Sequence, residues 1–117
     1  MRENILKSKS LNFAIRVVNL YKFLTNEHKE YVLSKQVLRS GTSVGAMIRE
    51  AEFAQSKRDF ISKLSIAQKE INETIYWLEL LVKTNYIDQA QFDDLNNDAI
   101  ELIKLITSSI KTAKSNL

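Results

Sequence analysis

Residues 37–51 read VLRSGTSVGAMIREA and hold both glycines of the protein. Apolar and small residues recur every three or four positions along this stretch, which is the pattern of a helix that packs against other helices. Gly41 and Gly45 lie on one helical face, although each glycine costs about 1 kcal/mol of helix propensity relative to alanine. A backbone that comes close to a neighbouring helix offsets that cost, so the stretch predicts a tightly packed junction.

The composition favours a single helical domain over residues 1–117. The chain has no proline, no cysteine and only two glycines, whereas sheets and long loops need turn-forming residues. Without cysteine there are no disulfides and no thiolate metal sites, which fits a reducing compartment. No stretch has the pattern of a signal peptide or a membrane span. We therefore expect a cytoplasmic protein with no membrane partner.

Hydrophobic spacing and capping residues predict four helices. Their expected ranges are 9–26, 30–54, 57–84 and 89–114. Ser10 is the expected cap of the first helix, and Ser56 and Asp88 begin capping boxes for the third and fourth. Four helices with short connections predict an all-α, antiparallel up-down-up-down bundle. The third helix is apolar over more of its surface than one neighbour needs, which indicates contact with a partner as well.

Charge is unevenly distributed along the chain, whose net charge is +3. Residues 1–40 carry eight Lys/Arg against three Glu, whereas residues 71–100 carry one Lys against six Asp/Glu. A basic segment attracts nucleic acid or anionic lipid. Oppositely charged helices also attract each other, within one subunit or between subunits. The sequence leaves both interpretations open.

The residue types that catalysis needs are sparse. The single histidine, His28, lies in a predicted loop and outside the Glu-x-x-His motif of di-iron bundles. Serine nucleophiles therefore have only one histidine to act as a base, and no glycine-rich phosphate loop is present. We expect no catalytic residue, cofactor, metal or small-molecule substrate. A carboxylate metal site at Glu50, Glu70 and Glu73 is the enzyme hypothesis that stays open.

Basic side chains on the second and third helices favour a nucleic-acid interface. The candidate contacts are Arg39, Arg49, Lys57, Arg58, Lys22 and Lys35. Lys57 and Arg58 begin the third helix, and the N-terminus of a helix favours phosphate. Tyr21 and Tyr31 are candidates for stacking on bases, with core packing as the alternative. Binding led by the phosphate backbone would weaken steeply with salt.

Several segments, taken in order, resemble one bacterial family. These segments are QVLRSGTSV at 36–44, IREA at 48–51, SKRDF at 56–60, LSIA at 64–67 and YWLEL at 76–80. They are similar to the 23S rRNA-intervening-sequence proteins, in which the second helix reads Gln-x-x-Arg-x-x-x-Ser-Val followed by Asn-Ile-Ala-Glu-Gly. Met47 and Ala51 replace the Asn and Gly that are common there, and Gly45 stands where the family often has proline. The resemblance covers roughly residues 10–110.

The resemblance implies a four-helix bundle without enzymatic activity that assembles into a ring-like homopentamer. A related accessory protein of diversity-generating retroelements is a basic pentamer that works with nucleic acid, so RNA or a nucleoprotein is the implied partner. The alternative is a structural or protein-interaction module in which charge only orders the ring. The residues expected at close-packed or subunit contacts are Gly41, Gly45, Glu50 and Trp77.

Overall fold

The computed structural model describes residues 2–117, with side chains described from residue 5 onward. The described chain folds into four helices and contains no strand. The helices are α1 (Arg2–His28), α2 (Leu33–Glu52), α3 (Lys57–Lys83) and α4 (Gln89–Ser115). The prediction of an all-α four-helix bundle is confirmed. The bundle is elongated, with principal extents of 47 × 21 × 20 Å.

Consecutive helices lie side by side, and α4 closes the bundle against α1. Side-chain pairs give their directions. Along α1, Lys7 pairs with Glu52 near the end of α2, whereas Val17 contacts Gly41 near its middle. Between α2 and α3, Glu50 near the end of α2 pairs with Lys63 near the start of α3. Arg39, which comes earlier in α2, pairs with Glu73, which comes later in α3. These pairings are those of antiparallel neighbours.

Helix α1 begins earlier than the sequence predicts, at Arg2 instead of residue 9. The additional turns are held by tertiary packing, because Leu6 is only 2% exposed and belongs to the core. Ser10 is therefore not the cap of this helix. Its side chain is buried within the helix, and its hydroxyl donates to the carbonyl oxygen of Lys7 at 3.2 Å. The expectation of a cap at Ser10 was wrong.

The first connection is longer than predicted, and α2 begins at Leu33 instead of residue 30. Lys29 has a φ of 53°, in the left-handed region, which ends α1. The Glu30 carboxylate then accepts the backbone N–H groups of Leu33 and Ser34 at 2.9 and 2.7 Å. Partial burial would raise the pKa of Glu30, but these backbone hydrogen bonds outweigh it and lower the pKa.

The other two connections follow the predicted capping residues. The Ser56 hydroxyl accepts the N–H of Asp59 at 3.0 Å, while the Asp59 carboxylate accepts the N–H of Gln55. Asp88 and Gln91 form a reciprocal capping box at the start of α4, with bonds of 2.8 and 2.9 Å. Both starts are therefore confirmed within one residue, because capping signals lie within a few positions along the chain.

The core is one cluster of apolar side chains drawn from all four helices. Leu81, which the sequence places off the main stripe of α3, is completely buried in it, and Ile61 packs against it. Residues that widen the apolar surface of α3 therefore pack inside the bundle. One polar pair lies among these side chains, because the Thr74 hydroxyl donates to the Ser40 hydroxyl at 2.9 Å.

Candidate nucleic-acid interface

The two glycines of α2 face α1 of the same chain. A Cβ placed on Gly41 would lie 2.8 Å from both methyl groups of Val17, so only glycine fits this contact without movement. A Cβ on Gly45 would lie 3.5 Å from the backbone oxygen of Ser10, which is ordinary contact. Of the two glycine contacts, the one at Gly41 is therefore the tighter, and both are internal to the bundle.

Arg39 is held by α3. Its guanidinium donates to Glu73 and also reaches Glu70 at 3.4 Å, and Glu73 accepts the indole N–H of Trp77 at 3.0 Å as well. Because two carboxylates balance the charge of Arg39, this residue is a poor phosphate ligand even though its side chain is half exposed. Trp77 itself is half buried and packs against the core.

The carboxylates considered for a metal site are also engaged by cations. Glu70 and Glu73 face Arg39, and Glu50 pairs with Lys63 of α3 at 3.4 Å. Over the described residues, no group of three or more His, Asp or Glu side chains is arranged to hold a metal ion. Glu50 in this arrangement links α2 to α3 within one chain.

Basic residues of α1 form ion pairs with acidic residues of α4. Arg16 donates to both Asp94 and Asp98, and Lys9 pairs with Glu101 at 3.1 Å. Burial alone would lower the pKa of Arg16, but its bonds to the two aspartates raise the pKa above its ordinary value. Attraction between oppositely charged helices within one subunit therefore accounts for this part of the basic N-terminal third.

Five basic side chains remain exposed at one end of the bundle, which we call the basic end. They are Arg49, Lys57, Arg58, Lys111 and Lys114. The antiparallel order brings them together, because the end of α2, the start of α3 and the end of α4 share this end. Within residues 5–117, none of the five makes a hydrogen bond or an ion pair. The predicted contacts Arg49, Lys57 and Arg58 thus share one surface.

The other two predicted contacts lie elsewhere. Lys22 is near the end of α1 and Lys35 near the start of α2, both at the opposite end of the bundle. Fourteen residues separate Lys35 from Arg49, which is about 21 Å of helix. Exposed Asp88 and Asp93 share the end that holds the two lysines. The six predicted cations therefore do not form one patch.

Phe53 is the site residue that the sequence analysis missed. It follows the last turn of α2 and is 79% exposed, the largest fraction among the exposed large apolar residues. It lines an open groove of about 470 Å³ together with Arg49, Gln55 and Lys63. Its sequence signal is its position, because the apolar stripe of α2 ends at Ala51 and a phenylalanine two residues later falls off that stripe. Of the predicted stacking residues, Tyr21 is half buried and Tyr31 lies at the opposite end.

One exposed apolar surface lies on α1 where it borders α2, and we call it the α1–α2 face. Leu11 and Ile15 of α1 are 48% and 51% exposed. Beside Leu11 runs an open groove whose lining includes Ala14, Gly45 and Ala46. The hydrophobic pattern predicts an outward apolar surface on α3, where among the exposed large apolar residues only Tyr76 appears, at 57%. Gly45 is therefore a predicted contact residue that borders this face.

The fold and the site define the class of protein: a four-helix bundle with exposed cations at one end and, in its described part, no cluster of residues arranged to hold a metal ion. The family profile of the 23S rRNA-intervening sequence proteins matches residues 2–108. The chain therefore belongs to this family, and the resemblance inferred from its segments is confirmed. No curated protein matches the chain.

One similar solved structure is a crystal structure from Bacteroides thetaiotaomicron VPI-5482, described as a protein of unknown function from the S23 ribosomal protein family. It is 64% identical to this chain, with a TM-score of 0.94, and the alignment covers 95% of this chain and 99% of that one. No described helix is both long enough and apolar enough to cross a membrane.

Proposed function

We propose that this protein is a non-enzymatic, homo-oligomeric bundle that binds RNA, alone or within a nucleoprotein, through its basic end. The observation that carries the proposal is the set of five exposed cations on that end, none of which has a partner among residues 5–117. Two neighbouring carboxylates are engaged by other cations, Glu50 by Lys63 and Glu52 by Lys7. Asp59 is the described carboxylate that directly follows Lys57 and Arg58. Membership of the 23S rRNA-intervening sequence family agrees with an RNA partner.

The expected mode of binding is contact with the phosphate backbone. Exposed Lys and Arg release counterions from a polyanion, so the logarithm of affinity falls linearly with the logarithm of salt concentration. Five contacts per chain would give a slope of about −3.5 on single-stranded RNA. The N-terminus of α3, which carries Lys57 and Arg58, adds backbone N–H groups that favour phosphate.

The test is a titration of labelled RNA by fluorescence anisotropy at several salt concentrations. The variant combines Arg49→Gln, Lys57→Gln and Arg58→Gln, and the control combines Lys22→Gln and Lys35→Gln at the opposite end. We expect the triple variant to lose affinity and to lower the salt slope by about 2, since each phosphate contact contributes about 0.7. The control should keep most of the affinity. Equal losses in both proteins, or binding without a salt slope, would contradict the proposal.

The α1–α2 face is our proposed surface for self-association, and the resemblance implies a pentamer. Leu11 and Ile15 expose large apolar area there, and apolar area left in water favours association. Light scattering of the wild type and of Ile15→Glu tests this, with Ile100→Glu on α4 as the control because Ile100 is 39% exposed. A monomeric wild type, or equal dissociation by both substitutions, would contradict the assignment.

The second candidate function is a structural or protein-interaction module without nucleic-acid binding. It is favoured by the ion pairs between α1 and α4, which show that charge asymmetry in this chain also serves helix packing. In that case charge reversal at Lys22 or Lys35 would alter assembly and leave any RNA affinity unchanged. The same anisotropy and light-scattering measurements separate the two functions.

A further inference from the structure

The exposed aromatic ring at the basic end has no role in the fold. Phe53 is 79% exposed and is absent from both the buried core and the partly buried side chains packed against it. Full burial of a phenylalanine stabilises a fold by about 1.5–3 kcal/mol, and the exposed ring of Phe53 provides little of this stabilisation. The ring is held at the end of α2, where the N–H of Phe53 donates to the carbonyl of Glu50 at 3.2 Å.

Two basic residues, Arg49 and Lys63, and two acidic residues line the groove beside the ring. Glu50 and Asp59 line it, but Glu50 is paired with Lys63 and Asp59 accepts the N–H of Gln55. Arg49 lines the same groove without a partner among the described residues. Lys57 follows Phe53 by four residues, across the turn between α2 and α3. The exposed aromatic ring thus lines one groove with an arginine that has no partner among the described residues, and exposed Lys57 follows it closely in the chain.

From this combination we infer that the groove at Phe53 binds an unpaired nucleotide of single-stranded RNA, with the base stacked on the Phe53 ring. Arg49 and the cations at the start of α3 would contact the flanking phosphates. Exposed aromatic side chains next to basic ones bind single strands, because every base has a flat face while duplex bases are already stacked. The inference rests on the proposed RNA binding and adds selectivity for unpaired nucleotides.

The experiment compares an unstructured pyrimidine-rich RNA with an RNA duplex of equal nucleotide number, by fluorescence anisotropy at one salt concentration. Phe53→Ala should weaken binding of the single strand by at least about fivefold, the lower end for one base stacked on an aromatic ring. Phe53→Trp should keep the affinity, and bound RNA should quench the added indole emission. Tyr31→Ala, at the opposite end and 53% exposed, is the matched aromatic control and should have no effect.

Three results would overturn the inference. They are an unchanged affinity of Phe53→Ala for the single strand, an equal loss on the duplex, and a change in oligomeric state, which would make Phe53 a subunit contact. A different result contradicts the proposed function: RNA binding by the triple variant at Arg49, Lys57 and Arg58 that equals binding by the wild type. Thermal unfolding checks that each protein is folded, which is expected because Phe53 packs outside the core.

Discussion

Replacing Gly41 with alanine tests the close approach of α1 and α2. The added Cβ would lie 2.8 Å from both Val17 methyl groups and 3.2 Å from its Cβ, whereas carbon atoms in favourable contact are about 3.5–4.0 Å apart. Val17 cannot turn away, because it is fully buried and a β-branched residue in a helix has one strongly preferred rotamer. The two helices must therefore separate locally.

The size of the effect is the difference between two opposed terms. Alanine gains about 1 kcal/mol of helix propensity over glycine, while overpacking a buried contact costs about 1–3 kcal/mol. The net loss is therefore about 0–2 kcal/mol, and we expect Gly41→Ala to lower the free energy of unfolding by about 1 kcal/mol, the middle of this net range. For a chain of this length, this corresponds to a decrease in Tm of about 4 °C.

Gly45→Ala is the matched control, four residues away on the same helix. Its Cβ would meet the backbone oxygen of Ser10 at 3.5 Å, an ordinary contact. The propensity gain should therefore dominate and raise the free energy of unfolding by about 0.5–1 kcal/mol. Urea unfolding followed by circular dichroism measures both variants. The protein concentration must be the same in every sample, because self-association would contribute to apparent stability.

Combining Gly41→Ala with Val17→Ala locates the cause. Removing the Val17 methyl groups makes room for the new Cβ, so the double variant should be more stable than the sum of the two single effects predicts. A Gly41→Ala protein as stable as the wild type would refute the inference that contact with Val17 requires glycine at position 41. A coupling energy near zero between the two substitutions would refute it as well.

Local contacts in the fold give further expectations. Ser56→Ala removes the cap of α3 and should lower the free energy of unfolding by about 1 kcal/mol; a thermal shift below one degree would argue against that role. Glu30→Gln should destabilise the protein near neutral pH. The folded state lowers the pKa of Glu30, so the ionised carboxylate stabilises the fold. This stabilisation is fully present above the unfolded pKa of about 4.3 and is lost as the pH falls through the folded pKa. The stability difference from wild type should therefore narrow in acid, and a difference independent of pH would contradict the assignment. Thr74→Val leaves the buried Ser40 hydroxyl without its partner and should cost about 1 kcal/mol in urea unfolding, whereas wild-type stability would mean that Ser40 finds another hydrogen-bond partner.

The helices were predictable where their signals are local in sequence. Ser56 and Asp88 cap their helices through residues three positions away. The start of α1 was not predictable in this way, because the burial of Leu6 depends on the other helices. The start of α2 depends on the left-handed backbone at Lys29, which a lysine does not signal.

The candidate site was less predictable than the fold, because charge counts do not show partners. Arg39 stands in the sequence like any exposed arginine, yet its carboxylate partners lie 31 and 34 residues further along the chain. Conversely, Lys111 and Lys114 join the basic end only because α4 ends where α3 begins. Phe53 carried a usable signal, since a large apolar residue beyond the stripe of its helix has no place in the core.

The hydrogen bond between Trp77 and Glu73 gives the molecule an internal spectroscopic reporter. Trp77 is the only tryptophan, and the carboxylate that accepts its indole N–H also holds Arg39 of α2. Separation of α2 from α3 would change the environment of the indole and hence its emission. Twenty residues of α3 separate Trp77 from Lys57, about 30 Å, so events at the basic end leave this emission unchanged while unfolding of the bundle alters it.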